Sequence, residues 1–254
     1  MEGVPQLLVL AILGFLGGML AGIVGVGGAT FFIPALVYVA GWGIKDAIAA
    51  SLVITVFSSL SGTIRNTRSE DPVDWRVAAL LASTAAPASL IGVFINNVSP
   101  EAVAKIAFAV LLLALAYPMA RGRRGPSDGE RKIPLALVLV AGVGIGALSG
   151  LVGVGGGGTT VPLMVLGFGL ATKRAVSTGL AVTLSTSIVA SIGYITTGFG
   201  DLLSLPPLIA GSVLGPLLGV RLRERLPEKA IRVGFAGFMV VVALRTLADA
   251  AGIF

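Results

Sequence analysis

Ten apolar stretches separated by short polar ones run along the chain, at 6–24, 29–40, 47–64, 76–95, 102–120, 133–152, 159–170, 175–197, 203–221 and 229–250. Eight of them reach the length a helix needs to cross a bilayer. The other two, 29–40 and 159–170, have 12 residues each. Helices that short rise roughly 18 Å and do not span about 30 Å of hydrocarbon. Each is predicted to fold back on the stretch before it, as a helical hairpin or broken helix. The pattern predicts an all-α polytopic membrane protein. The first stretch lacks the basic flank of a secretion signal, and its pattern recurs at 133–152, so it is expected to be mature structure.

Glycine marks both expected bends. Gly22-Ile-Val-Gly-Val-Gly-Gly-Ala-Thr30, followed by Pro34, returns as Gly150-Leu-Val-Gly-Val-Gly-Gly-Gly-Gly158, followed by Pro162. A glycine weakens a helix by about 1 kcal/mol relative to alanine. A break at membrane depth strands N–H and C=O groups, which is tolerated only beside protein or a watery cavity. Two breaks at matching places in two half-chains point to the binding site of a carrier.

The halves match beyond the glycines. Gly14, Gly18 and Gly22 correspond to Gly142, Gly146 and Gly150; Lys45 and Ala47 to Lys173 and Ala175; Thr55, Ser58 and Ser59 to Thr183, Thr186 and Ser187. With one residue deleted, Pro100-Glu101 and Phe108 match Pro227-Glu228 and Phe235. The chain therefore reads as a duplication, 1–125 and 126–254, joined by the basic linker 121–132 within one integral membrane domain.

Charge orients the repeats. If the linker is cytoplasmic and each half crosses an odd number of times, 65–76, 121–132, 173–174 and 221–232 all face inward. They hold 15 of the 18 basic residues, as the positive-inside rule requires. An even number of crossings splits the charges about evenly. The expected fold is thus two inverted-topology repeats, each a glycine-broken hairpin plus three transmembrane helices, with both termini outside. Trp42 and Trp75 then fall at predicted interfaces.

A helix that starts just after a glycine bend exposes unpaired N–H groups and the positive end of its dipole. Near mid-membrane this makes an anion site that needs no charged side chain. The candidate donors are the amides around Gly27–Thr30 and Gly155–Thr159, with Thr30, Thr159 and Thr160 placed to cap or donate. Gly25, Gly27, Gly28, Gly153, Gly155 and Gly156 are spaced i, i+2, i+3, which is not one packing face of a helix, so they read as site. Gly14/Gly18/Gly22 and Gly142/Gly146/Gly150 follow the small-xxx-small rule and read as packing. Ser51, Thr55 and Ser58 line one helix face, and Thr183, Thr186 and Ser187 repeat much of it. These hydroxyls suit oxyanion coordination or interhelical hydrogen bonding equally. Lys45, Lys173 and Arg174 read as snorkelling to headgroups rather than drawing anions. Pro87 and Pro216 should kink their helices, and Asn96 and Asn97 read as helix ends.

Composition closes off other functions. The chain is 56% hydrophobic and 12% charged, with a mean hydropathy of +1.00, which is no soluble globular composition. The net charge of +6 lies in separate loops and fits membrane orientation, so no nucleic-acid partner is expected. The chain has no Cys and no His, which removes disulfides, thiol chemistry, zinc sites and imidazole relays. No Asp, Glu or Lys lies mid-membrane, so an intramembrane enzyme lacks its usual parts and proton coupling lacks a carrier. No cofactor or metal is expected. Export of an anion from a negative interior is favoured by about 2.3 kcal/mol per charge per 100 mV.

The paired Gly-Val-Gly-Gly motifs, each followed by Pro34 or Pro162 and then Lys-x-Ala at 45–47 or 173–175, resemble the sulfite exporter TauE/SafE family over nearly the whole chain. The resemblance implies a prokaryotic multi-pass permease of the cell membrane, handling sulfite, organosulfonates and related sulfur oxyanions. It assigns the motif to Gly25, Gly27, Gly28, Gly153, Gly155, Gly156 and Gly157, with Ala29 standing in the first copy where the second has Gly157. A carrier of another small solute and a structural membrane protein remain the alternatives.

Overall fold

A computed structural model describes residues 4–24, 28–67, 71–121, 134–166, 168, 170, 172–198, 205–225 and 227–252. These form ten α-helices: α1 (Val4–Val24), α2 (Ala29–Tyr38), α3 (Ile44–Asn66), α4 (Trp75–Val98), α5 (Glu101–Arg121), α6 (Leu135–Val152), α7 (Gly157–Leu166), α8 (Thr172–Thr196), α9 (Leu205–Arg225) and α10 (Glu228–Ala250). Every one falls on a predicted apolar stretch. Several run further, because polar residues belong to their ends. Asp46 lies in the first turn of α3 and Arg65 in its last, each at the helix end whose dipole it complements. Asp74 caps α4 by accepting from the Val77 N–H at 3.1 Å.

Among the described residues, seven helices are long and apolar enough to cross a membrane: α1, α3, α4, α5, α6, α8 and α10. The two 10-residue helices α2 and α7 are too short, as expected. Within α9 (21 residues) the described apolar run is Leu205–Gly219. The chain is an all-helical, multi-pass membrane protein.

Backbone contact between glycine faces holds the bundle together. A Cβ on Gly14 would overlap the Leu208 carbonyl oxygen, and one on Gly18 would lie 2.7 Å from that of Ser212. Gly211, Gly215 and Gly219 of α9 answer from the other side, meeting Ala11, Phe15 and Met19. The same device joins α6 to α4, where Gly142, Gly146 and Gly150 meet Thr84, Ala85 and Ser89, and Gly92 meets Ala147. Such approach maximises dispersion where lipid supplies no hydrophobic drive.

These approaches also fix direction. Residue numbers rise together along α1 and α9, and along α4 and α6. Along α4 and α8 they rise together as well, with Asp74 against Arg174 at one end and Leu90 against Gly193 at the other. The central pair, α3 and α8, runs antiparallel: Gly62 abuts Leu180, whereas Thr55 shares a neighbour with Thr183 and Ser187. The pair α5 and α10 is antiparallel too, since Lys105 near the start of α5 binds Asp249 at the end of α10 at 2.7 Å.

Charged residues at helix ends are spent on structure. Lys45 Nζ donates to the Ser99 and Asn97 carbonyls at 2.7 and 3.2 Å and so satisfies the C-terminal end of α4. Arg174 pairs with Asp74 at 3.0 Å. Trp75 stands exposed at the start of α4, while Trp42 packs half-buried beside α2.

Candidate functional site

The site grows from the two breaks. In the second half, α6 stops at Val152 and α7 starts at Gly157. Between them Gly153, Gly155 and Gly156 take φ of 77°, 66° and 83°, left-handed values that cost other residues roughly 1–2 kcal/mol. In the first half Gly28 has φ of 78° and α2 starts at Ala29. Gly25 and Gly27 lie outside the described residues.

Breaking α6 frees its last carbonyls, and those of Ser149, Gly150 and Leu151 acquire donors. The Ser149 oxygen accepts from the Gly153 N–H at 2.8 Å. The Gly150 oxygen accepts from the Tyr194 hydroxyl at 2.9 Å, and the Leu151 oxygen from Asn96 Nδ2 at 2.6 Å. The Gly153 oxygen accepts from Ser51 Oγ at 3.1 Å, and the Gly155 oxygen from Thr186 Oγ1 at 2.7 Å. The Gly156 oxygen accepts from the Thr160 N–H and hydroxyl at 2.8 and 2.6 Å. Side chains of α3, α4 and α8 thus clasp the turn and meet the requirement that buried carbonyls be paired.

Amides are a different matter. A helix leaves its first N–H groups without intrahelical partners, and for α7 these begin at Gly157, with Gly158 next. For α2 they begin at Ala29 and Thr30, since the Phe31 and Phe32 amides bond to the Gly28 oxygen at 2.9 and 3.0 Å. Thr159, a candidate donor in the sequence, gives both its N–H (3.2 Å) and its hydroxyl (3.0 Å) to Gly156 O. It is satisfied locally, the usual back-bonding of a threonine in a first turn.

The structure brings most of the candidate hydroxyls to one place. A Cβ on Gly155 would lie 2.7 Å from Ser187 Oγ and 3.0 Å from the methyls of Thr183 and Thr55, so Thr55, Thr183 and Thr186 all surround the second turn. Ser58 stands apart. It lines a cavity of about 10 Å³ with Ala21, Gly22, Gly62 and Asn66, room for about one water. Thr30, Ser58, Thr183 and Ser187 are buried, and their hydroxyls have no hydrogen-bond partner among the described residues. Buried hydroxyls usually have partners.

Sequence reasoning missed three of the clasping groups. Asn96, read as a helix end, does stand in the last turn of α4 but is fully buried there. Tyr194 drew no attention, although a tyrosine in an apolar stretch needs a partner for its hydroxyl. Ser51 was seen as part of a polar face, without its target.

A family model for the sulfite exporter TauE/SafE family matches residues 10–246. Among curated proteins, the chain is 28% identical to one from Haemophilus influenzae, over 94% of this chain and 97% of the other. It is 24% identical to one from Methanocaldococcus jannaschii, over 92% and 93%, and 25% identical to one from Bacillus subtilis, over 88% and 90%. All three carry the name "Probable membrane transporter protein". No solved structure matches the chain.

Proposed function

Because the chain belongs to the sulfite exporter TauE/SafE family and is a membrane transporter of that family, we propose that it carries a small sulfur oxyanion, sulfite or an organosulfonate, out across the prokaryotic cell membrane. The anion sits between the two glycine breaks, held by the first-turn amides of α2 and α7. Gly28 and Ala29 on one side, and Gly153, Gly155, Gly156 and Gly157 on the other, bring backbone close to it, and the glycine motif assigns Gly25 and Gly27 to the same site. Thr30, Thr55 and Thr183 supply hydroxyls at the breaks, Ser58 supplies one on the approach through its small cavity, and Thr186 holds the turn.

One observation carries this reading. The carbonyls of Gly153, Gly155 and Gly156, three of the four in the described turn, are engaged by hydroxyls or amides, whereas the start of α7 leaves its first amides without intrahelical partners, which favours a site lined by N–H. A cation carrier needs the reverse, carbonyl oxygens facing the solute. Oxyanion oxygens accept hydrogen bonds from several convergent donors, and charge-assisted bonds of this kind are the stronger sort.

Alternating access follows from a second-order reading of the same helices. Exchanging the halves turns the α1–α9 pair into α6–α4 and returns α3–α8 and α5–α10 to themselves. Counterparts α3 and α8 run antiparallel, which supports inverted repeats, 1–125 and 126–254, about an axis in the membrane plane. Rocking one half against the other then presents the anion to each side in turn.

Flux of sulfite and of an alkanesulfonate into proteoliposomes tests the proposal. Saturable uptake above protein-free vesicles, reduced at least tenfold by Gly156→Leu in monodisperse protein, is the expected result. Uptake no faster than in empty vesicles, or transport of sodium in place of the anions, overturns it.

A further inference from the structure

We propose that the small cavity at Ser58 and Asn66 is the open half of the solute path, and that Tyr194 plugs its counterpart. The conformation described here therefore faces the membrane side on which α3 ends. This rests on the transport reading above and adds the direction of access and the residue that gates it.

The argument starts from register. Ser58, Gly62 and Asn66 stand at i, i+4 and i+8 on one face of α3. The spacing that relates Gly22 to Gly150 relates them to Thr186, Ala190 and Tyr194 on α8. The two stripes are equivalent in position and unlike in state.

On α3 the stripe borders empty space. Ser58 is 1% exposed, its hydroxyl has no partner among the described residues, and it lines the cavity together with Ala21 and Gly22 of α1, Val176 and Leu180 of α8 and Pro216 of α9. Asn66 lies at its outer end, with Nδ2 donating to the Gly62 oxygen at 2.9 Å. An unpaired hydroxyl beside a hole that holds one water is a wetted position, because desolvation without a partner is unfavourable.

On α8 the same stripe is sealed. Thr186 donates to Gly155 O, and Ala190 is fully buried. The Tyr194 ring is fully buried too, and its hydroxyl reaches the Gly150 oxygen at 2.9 Å. Gly150 is the counterpart of Gly22. The tyrosine therefore fills the place that the first half leaves open between Gly22 and Asn66. Since α3 and α8 run antiparallel, Asn66 and Tyr194 lie toward opposite membrane faces. An asparagine at one end and a tyrosine at the other make the path asymmetric although the backbone is duplicated.

The chain has no cysteine, so single cysteines report access cleanly. Full-length protein in oriented proteoliposomes carries Asn66→Cys or Ala190→Cys and is exposed, from each side separately, to a membrane-impermeant sulfonate-bearing methanethiosulfonate. Thr67→Cys, at an exposed position, reports folding and orientation in each background. Asn66→Cys should label from the side of residues 67–74 at least tenfold faster than Ala190→Cys labels from the other. Tyr194→Ala should raise Ala190→Cys labelling at least tenfold, while Tyr194→Phe, which keeps the ring, leaves it slow. Ser58→Cys, a smaller change than Asn66→Cys, should label from the same side.

Ala190→Cys labelling as fast as Asn66→Cys with Tyr194 present overturns the proposal, and so does indifference to Tyr194→Ala. Labelling does not depend on which solute is carried. Symmetric labelling with intact sulfite flux sinks the gate alone, and asymmetric labelling without flux sinks the transport reading alone.

Discussion

Replacing Gly155 by alanine probes the turn at its tightest point. The new Cβ meets Ser187 Oγ at 2.7 Å and the methyls of Thr183 and Thr55 at 3.0 Å, so these side chains on α3 and α8 must give way by a few tenths of an ångström. Forcing a methyl into a packed core costs about 1–3 kcal/mol. The φ of 66° adds left-handed strain of roughly 1–2 kcal/mol. Together these give about 2–5 kcal/mol, a large share of the roughly 5–15 kcal/mol that holds a typical domain. Thermal unfolding in detergent should fall by several degrees. Sulfite flux should fall further, because the strain displaces the Gly155 carbonyl from Thr186 and moves the α7 amides. Gly144→Ala is the control: it lies inside α6 with no atom within 4 Å of its Cβ, where alanine gains up to about 1 kcal/mol. A Gly155→Ala protein that melts and transports like its parent refutes the reasoning, as does a control that loses as much.

Two positions along α6 from that control, Gly146→Ala drives a Cβ into the Ala85 carbonyl and should cost about 1–3 kcal/mol, read as a lower melting temperature. Asn96→Ala leaves the buried Leu151 carbonyl without its 2.6 Å donor and should cost about 1–3 kcal/mol by the same assay. The Lys105–Asp249 pair, with side chains 20% and 27% exposed, should couple by less than about 1 kcal/mol in a double-mutant cycle. That coupling should shrink in 1 M salt. With no pH gradient, an inside-negative potential of 100 mV should shift the equilibrium distribution of a monovalent anion outward about 50-fold, measured as residual alkanesulfonate in loaded vesicles.

The architecture was open to reading because the bilayer imposes simple rules. Length alone separated α2 and α7 from the spanning helices, and the doubled glycines placed both breaks. The Gly14/Gly18/Gly22 and Gly142/Gly146/Gly150 rows were legible as packing faces by spacing, and Gly211, Gly215 and Gly219 of α9 obey the same rule unnoticed. The pairing of freed carbonyls was not legible. Ser51 reaches Gly153 and Tyr194 reaches Gly150 only once α3 and α8 cross beside α6, and nothing local in the sequence encodes that meeting. The hydroxyls illustrate the limit. Thr186 and Thr183 look alike in sequence, yet one is spent on Gly155 O and the other has no partner among the described residues. Lys45, legible only as a charge near a helix start, turns out to satisfy the end of α4.

The central claim is that main-chain amides, not carbonyls or basic side chains, hold the solute between the breaks. A structure determined with selenite, a heavy pyramidal analogue of sulfite, measures this directly through its anomalous signal. The account predicts selenium within hydrogen-bonding reach of the Gly157 and Gly158 amides on one side and those of Ala29 and Thr30 on the other. Selenium bound only at the basic loops, or a glycine cleft that closes around a cation through its carbonyls, contradicts it.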